Sequence, residues 1–525
     1  MKNKDGELTA GRHVSFWIDT IEPEKPWPLK EDLVTDVVIV GGGIAGLTTA
    51  YCLTRAGKKV VVVEDGLIGS GETGHTTAHL VTALDDRYYE LEKYFGIPKT
   101  HVIAMSHASA IDFVERVVKR EGIDCEFERL NGYLFLHPTD HPDSLDREYD
   151  AAIRAGINVI ESDVALPGLG KSLCFPGQAQ FHPLKYLKGL CAAIEKRGGK
   201  IFTGTHAGKI DKSGITTSDG YQVRAQHVVI ATNSPVNNKY SMHLKQYAYR
   251  TYVIGALVKK DSVARALWWD TGDFKINPDV PPYHYVRLTP YNDEFDLLIS
   301  GGEDHPIADT SRENLPEEKR YQPLEEWTRK YFPIEEVIYR WSGQVMEPMD
   351  GIAFLGRNPA DHDNIYIITG DSGNGMTHCT IGALLITDLI TGHDNAWEEL
   401  YRPSRFTVRA SKPFFKEVLS SIFSSFKQED EEEKNAPFSS LEKGEARIFE
   451  RDKQKWAAYC DDEGDLHVVS AICTHLGCTV KWNNDEQSWD CPCHGSRYTY
   501  EGKVMNGPAN ADLKKYKENK ILEKK

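Results

Sequence analysis

The sequence predicts an α/β fold followed by a small all-β domain at the C-terminus. Three observations predict it. A β-branched run, Val37–Val40, leads into glycines at 41, 43 and 46, then into a helix and a second strand. From Thr35 to Arg405, strand-like and helix-like segments alternate, the pattern of an α/β body. After an acidic stretch, Gln428–Asn435, short alternating runs such as Trp456–Cys460 and Leu466–Ser470 read as strands of a small domain, where four of the ten cysteines crowd together.

Each part of the first unit has a physical task. Val37–Val40 suits a buried parallel strand. Gly41 permits a tight turn, Gly43 lets the backbone approach a pyrophosphate, and Gly46 lets helix and strand pack closely. The helix, Leu47 to Arg55, follows a turn whose free N–H groups attract phosphate. The second strand, Lys59 to Val63, ends at Glu64, an acid placed to accept hydrogen bonds from ribose hydroxyls. This register predicts a dinucleotide site built from Gly41, Gly43, Ile44, Ala45, Gly46, Glu64 and Asp65.

Composition narrows the class. A chain of 525 residues suits two or three domains, and 40% hydrophobic with 27% charged residues is ordinary for a globular protein. The net charge of -16 argues against nucleic acid or an anionic membrane as partner. No apolar run is long enough to span a bilayer, and Met1–Glu7 leads into no apolar stretch or twin-arginine signal, so the cytoplasm is the expected compartment. Cys52, Cys125, Cys174, Cys191, Cys379 and Cys460 lack motif spacing and read as buried free thiols. Phe414, Phe415, Val418, Leu419, Ile422, Phe423 and Phe426 recur at helical spacing, which predicts an amphipathic helix packed on the first body. The acidic stretch after it reads as a solvated linker.

The segment from Thr35 to Arg405 resembles the D-amino-acid-oxidase superfamily of FAD enzymes. Gly69–Ala78 stands where that family places a loop beneath the flavin, which implies cofactor contacts from Gly71, His75, Thr76 and Thr77. His227–Asn233 resembles the strand that returns to the adenosine side, implying Ala231 and Thr232. Asn364–Thr377 resembles the late motif, implying Gly370, Gly373, Gly375, Met376 and Thr377, with a helix N-terminus facing the electron-rich edge of reduced flavin. Gly71–Thr77 also resembles the segment where dimethylglycine and sarcosine dehydrogenases attach FAD covalently to a histidine, which makes His75 a candidate anchor. Those enzymes have a bulky aromatic residue where Gly74 stands here, which favours an ordinary non-covalent role. The resemblance implies FAD-binding segments at about 35–110, 175–245 and 340–400, interleaved with an α+β substrate domain at about 120–170 and 246–339. The helix and linker occupy 406–436 and the last domain 437–525.

In that last domain, Cys473-Thr-His475 and Cys491-Pro-Cys-His494 supply two thiols and two imidazoles on two loops. Such a set suits structural zinc or an iron–sulfur cluster. The segment resembles the Rieske proteins of respiratory cytochrome complexes. That resemblance implies a [2Fe–2S] cluster with Cys473 and Cys491 on one iron and His475 and His494 on the other. It further implies a Cys478–Cys493 disulfide, hydrogen bonds from Ser496 and Tyr498, and a proline loop at Gly507–Ala509. A ring-hydroxylating oxygenase is disfavoured, because no two-histidine, one-carboxylate set follows.

Together the resemblances imply oxidation of a C–N bond in a small amine or amino-acid-like substrate. Electrons would pass singly from FADH2 through the cluster to an external one-electron acceptor, with the linker letting the small domain move. A reductase running in the opposite direction, and a redox sensor or electron-transfer protein without a dedicated substrate, stay open. Trp341–Pro348 is comparable to the family's Trp-x-Gly-x-Arg-Pro stretch but lacks its arginine, which counts against a simple α-amino acid. Arg250, Tyr283, His284, Tyr285, Arg287 and Gln344 are the candidate pocket residues.

Overall fold

Val37–Val40 forms the end of a parallel strand, Leu33–Val40, flanked by Val60–Val63 on one side and Gln222–Ile230 on the other. This is a computed structural model; it describes residues 9–22, 24–163, 170–237, 242–277, 281–309, 315–359, 361–407, 433–434 and 436–516. Alternate side chains of the strand enter two different cores. Val37 and Ile39 pack with the helix residues Ile44 and Leu47, while Val38 and Val40 pack with Val61 and Val63. Burial on both faces explains the unbroken valine run. The sheet runs Phe354–Arg357, Ile365–Thr369, Gln222–Ile230, Leu33–Val40, Val60–Val63, Lys200–Phe202. The helices Ile44–Arg55 and Gly375–Thr391 pack against each other over it.

A second sheet carries the other half of the body. Its order is Val337–Pro348, Gln246–Lys259, Phe295–Pro306, Tyr285–Pro290, Leu267–Asp270, Glu128–Phe135, Ser172–Gln180, His79–Leu80, with Ile160–Ser162 beside Ser172–Gln180. The chain crosses between sheets several times, so the domains interleave. Ser172–Gln180 and Val337–Pro348 lie wholly in this second sheet, so the boundaries expected at 175 and 340 fall inside strands. Both strands are largely buried along their length, and nothing in their composition marks the crossing.

The C-terminal domain is all-β, with two four-stranded sheets. One contains Ala446–Arg451, Gln454–Cys460 and Leu466–Ser470; the other runs Lys481–Asn483, Ser488–Asp490, Arg497–Thr499, Val504–Asn506. The helix expected at 414–426 lies outside the described residues, as does most of the acidic linker. Of the six scattered cysteines, all are free thiols; Cys191 and Cys379 are only half-buried, the others buried. Among the described residues no helix is long and apolar enough to cross a membrane.

Candidate functional site: a dinucleotide cleft against a metal centre

One long cleft runs along the ends of the first sheet's parallel strands. Gly41, Gly43, Ile44, Ala45, Glu64, Asp65, Gly71, His75, Thr76, Thr77, Ala231, Thr232, Gly373, Gly375 and Met376 line it. The loop has room for backbone alone. A β-carbon on Gly41 (φ +113°) would fall 2.3 Å from the Ala231 carbonyl oxygen, and one on Gly43 would fall 3.0 Å from Thr73 Oγ1. This is a cradle that a side chain would fill, and it fits a pyrophosphate laid at a helix N-terminus. The Ile44 N–H donates to Thr73 Oγ1 at 3.1 Å. Thr73, within the Gly69–Ala78 loop, also lines the cleft, as do Thr205 and His206, which carried no motif.

Three of the expected contacts lie behind the lining. Gly46 packs helix on strand, where a β-carbon would fall 1.9 Å from the Gly41 carbonyl oxygen. Gly370 turns the chain at φ +72° beside Gln246 and Phe354. Thr377 Oγ1 meets His107 Nδ1 at 2.9 Å, inside the helix packing. Glu64 ends its strand as expected, yet its carboxylate already accepts from the N–H groups of Gly42 (2.5 Å) and Gly66 (2.9 Å). Burial pushes its pKa up to about 7 against those hydrogen bonds. His75 is buried, with Nδ1 3.2 Å from the Gly71 carbonyl oxygen and Nε2 3.1 Å from that of His13.

The candidate pocket residues separate into two groups. Tyr283, Tyr285 and Gln344 line the cleft. Tyr285 OH meets Thr251 Oγ1 at 2.7 Å, and the Tyr283 and Tyr285 rings lie 5.4 Å apart. Arg287 does not reach the cleft; its guanidinium donates to the carbonyls of Thr77, Ala78 and Phe181 at 3.0–3.1 Å and lies over Trp17. It braces the loop from behind. His284 is also set back, stacked on Trp327 at 4.2 Å, with Nδ1 2.9 Å from Asp270 and Nε2 3.3 Å from Glu303. Burial alone would lower its pKa, but the two carboxylates raise it to about 9. Arg250 faces the C-terminal domain, where it pairs with Asp490 at 3.0 Å.

In the C-terminal domain, Cys473, His475, Cys491 and His494 converge from two loops. Both thiols are buried, and the His475 and His494 rings stand 5.0 Å apart at 87°. His494 Nδ1 is buried with no hydrogen-bond partner among the described residues, as a nitrogen awaiting a metal would be. The donors present therefore fit a two-thiolate, two-imidazole cluster. Cys478 and Cys493 are joined by a disulfide that ties the loops together. Tyr498 OH lies 3.2 Å from Cys473 Sγ, and Ser496 Oγ accepts from the Ala509 N–H at 3.0 Å. The loop Gly507–Ala509 contains a cis Gly507–Pro508 bond.

The two bodies are locked together. Besides Arg250–Asp490, Arg320 pairs with Asp485 at 2.8 Å, Ser342 donates to Glu486 at 2.7 Å, and Tyr247 OH donates to the Pro492 carbonyl at 3.1 Å. The N-terminal segment completes the seam: the Arg12 N–H donates to Glu486 at 2.7 Å, and His13 lies between Asp485 and Glu486. Burial would lower the His13 pKa, but Glu486 and Asp485 raise it to about 10. Breaking one such buried pair costs roughly 3–5 kcal/mol. In this structure the C-terminal domain is docked on the flavin body. Docking also builds the cleft itself: Val504, Met505, Asn506, Gly507, Ala509 and Asn510 form part of its wall, with Asn506 donating to Glu72 at 3.0 Å. The cluster loop packs without a gap, since a β-carbon on Gly495 would fall 2.8 Å from both Ala248 Cβ and Gln344 Nε2.

The comparisons agree with both halves. Residues 36–389 match the FAD dependent oxidoreductase family and residues 433–517 the Rieske [2Fe-2S] domain. The protein YhfW of Bacillus subtilis (strain 168), described as a Rieske 2Fe-2S iron-sulfur protein, is 31% identical over 95% of this chain and 97% of its own. The gamma-glutamylputrescine oxidoreductase of Escherichia coli (strain K12) is 26% identical over 69% of this chain and 85% of its own. The crystal structure of L-proline dehydrogenase from P. horikoshii shares the fold, with a TM-score of 0.57 and 18% identity over 72% of this chain and 98% of that one. The chain belongs to the FAD dependent oxidoreductase family and carries a Rieske [2Fe-2S] domain at its C-terminus.

Proposed function

We propose that this FAD-dependent oxidoreductase oxidises the C–N bond of a small amine-like substrate to C=N, taking two electrons with the α-hydrogen and leaving the nitrogen's proton to solvent, and releases the electrons one at a time to an external acceptor. The substrate loses its α-hydrogen with two electrons and a proton from nitrogen, leaving an imine. FAD, when bound, takes up a hydride equivalent, and a [2Fe–2S] cluster carries one electron at a time. The observation that supports this path is the contact at Gly495: Gln344 lines the cleft on one side and meets the cluster loop, next to His494, on the other. Gln344 thus borders both the cleft and the cluster loop. The glycine loop would hold the pyrophosphate, beside Thr73 and the Ile44 N–H that donates to its hydroxyl, and Asn506 and Asn510 close the cleft from the Rieske side. The six free thiols are consistent with a cytoplasmic setting.

Anaerobic mixing with a panel of amines tests the reading. The flavin absorbance should bleach first, and the cluster's reduced signal should follow in electron paramagnetic resonance. A flavin that bleaches with no amine, but is reduced by way of the cluster, would reverse the direction of flow.

Two further results are expected. Both His75 ring nitrogens face carbonyl oxygens, so FAD should be held non-covalently. Acid precipitation should leave all yellow colour in the supernatant. Gly46→Val places carbon against the Gly41 carbonyl and should weaken FAD binding by about tenfold to 100-fold. The ratio of flavin to protein absorbance after dialysis reads this directly.

A further inference from the structure

The cleft is rich in carboxylates. Glu64, Asp65, Glu72, Asp85, Asp304 and Asp371 line the cleft, and among the described residues no lysine or arginine does. Two guanidinium groups close to this wall are turned to backbone carbonyls. Arg287 is spent on backbone carbonyls, and Arg87 donates to the carbonyls of Leu84 and Asp270. His79, which also lines the cleft, is held neutral by burial and by Arg287, its pKa lowered to about 3.

Two of these acids, Asp85 and Asp304, lie close enough to act on each other. A β-carbon on Gly373, in the late glycine motif, would fall 2.0 Å from Asp85 Oδ2 and 3.1 Å from Tyr283 OH. Asp85 is thus beside the loop that faces the reacting end of the cofactor in the proposed function. Tyr283 and Tyr285 stand next to it, with Trp269 and Asp304 in the same wall. Aromatic faces and carboxylates together attract an ammonium group and repel a carboxylate.

We infer that the substrate is an amine carrying a second, cationic ammonium group and no carboxylate, with that ammonium held by Asp85 and Asp304 against Tyr283 and Tyr285. This rests on the C–N oxidation reading above. The reacting nitrogen must be neutral to lose its electrons, whereas the second nitrogen stays charged and supplies the anchor. An α-amino acid brings a carboxylate to a wall with no cation to meet it. The absent arginine at Val345 then has a reason: a cation there would oppose the substrate. Burial raises the Asp85 pKa to about 7, with the Tyr283 hydroxyl and Arg87 lowering it and Asp86 and Asp304 raising it. Affinity for the cation should therefore fall as pH drops below about 7.

The test uses the holoenzyme and three probes of four carbons each: 1,4-diaminobutane, n-butylamine and 4-aminobutanoate. Binding is read as a perturbation of the flavin spectrum, and oxidation as anaerobic bleaching. The diamine should bind about tenfold more tightly than butylamine and about 100-fold more tightly than 4-aminobutanoate. Asp85→Asn and Asp304→Asn should each cut the diamine-to-aminobutanoate ratio by about tenfold, with FAD content unchanged. Equal or tighter binding of 4-aminobutanoate by the unaltered enzyme overturns the inference, whether or not the variants fold. So does a ratio that neither variant moves, even if Asp85→Asn slows bleaching. Preferential binding of the diamine with no bleaching by any amine leaves the cationic site standing and removes the oxidation reading instead.

Discussion

Cys491→Ser should yield a yellow protein that its substrate still bleaches but that no longer turns over. The thiol is 1% exposed and sits at the meeting of the two cluster loops, beside the Cys478–Cys493 disulfide. A serine hydroxyl matches its shape but supplies no thiolate to iron, so the cluster should be lost while the FAD cleft stays intact. Electrons would then enter the flavin and find no exit. Turnover with a one-electron acceptor such as ferricenium is expected to fall by about 100-fold or more, a larger effect than loss of an outer-shell partner. The reduced-cluster resonance should vanish, and the rate of anaerobic flavin bleaching should stay within about threefold of the unaltered enzyme. A variant that keeps both its resonance and its turnover would remove Cys491 from the ligand set.

The second large effect is expected at the seam between the bodies. Arg250→Ala removes one partner of a buried pair, both side chains of which are almost wholly enclosed. Such a deletion costs roughly 3–5 kcal/mol because it strands the opposite charge. Here Asp490 keeps Arg497 at 3.2 Å, the Asn483 amide at 3.0 Å and the Ser488 hydroxyl at 2.7 Å. The loss should therefore fall at the low end, about 3 kcal/mol. Scanning calorimetry should show the Rieske domain melting earlier and apart from the flavin body. Transfer from flavin to cluster, measured after rapid anaerobic reduction, should slow in step as the docked population falls. If the variant instead keeps its melting profile and raises the substrate KM, Arg250 belongs to the pocket after all.

The contrast between these residues shows what kind of information a sequence holds. Gly41, Gly43 and Gly46 were legible because their task is local: each lets backbone approach backbone within one strand, turn and helix. The candidate metal donors were legible for a related reason, since Cys473 to His475 and Cys491 to His494 are short loops with close spacing. Tyr283 and Tyr285 were found as well; Tyr285 opens the strand Tyr285–Pro290, Tyr283 lies just before it, and both line the cleft.

Arg250 and Arg287 looked like pocket residues because a buried arginine in a strand must have an anionic or carbonyl partner, and nothing nearby in sequence names it. The partner of Arg250 is Asp490, 240 residues away, and Arg287 caps carbonyls more than 100 residues upstream. The strand Gln246–Lys259 is buried along nearly its whole length, so alternation does not tell the face toward the cleft from the face toward the Rieske domain. The same limit hid the contributions of Thr205, His206, Asn506 and Asn510 to the cleft.

By itself, then, the sequence determined the two cofactor-binding halves and the ligand loops, because backbone turns and metal spacings are short-range constraints. Tertiary structure alone decided that the halves dock, that one arginine bolts them together and another braces a loop, and that no lysine or arginine among the described residues lines the cleft. Those are properties of surfaces brought together from distant parts of the chain, and the energy that selects them, the pairing of buried charge, acts through space rather than along the backbone.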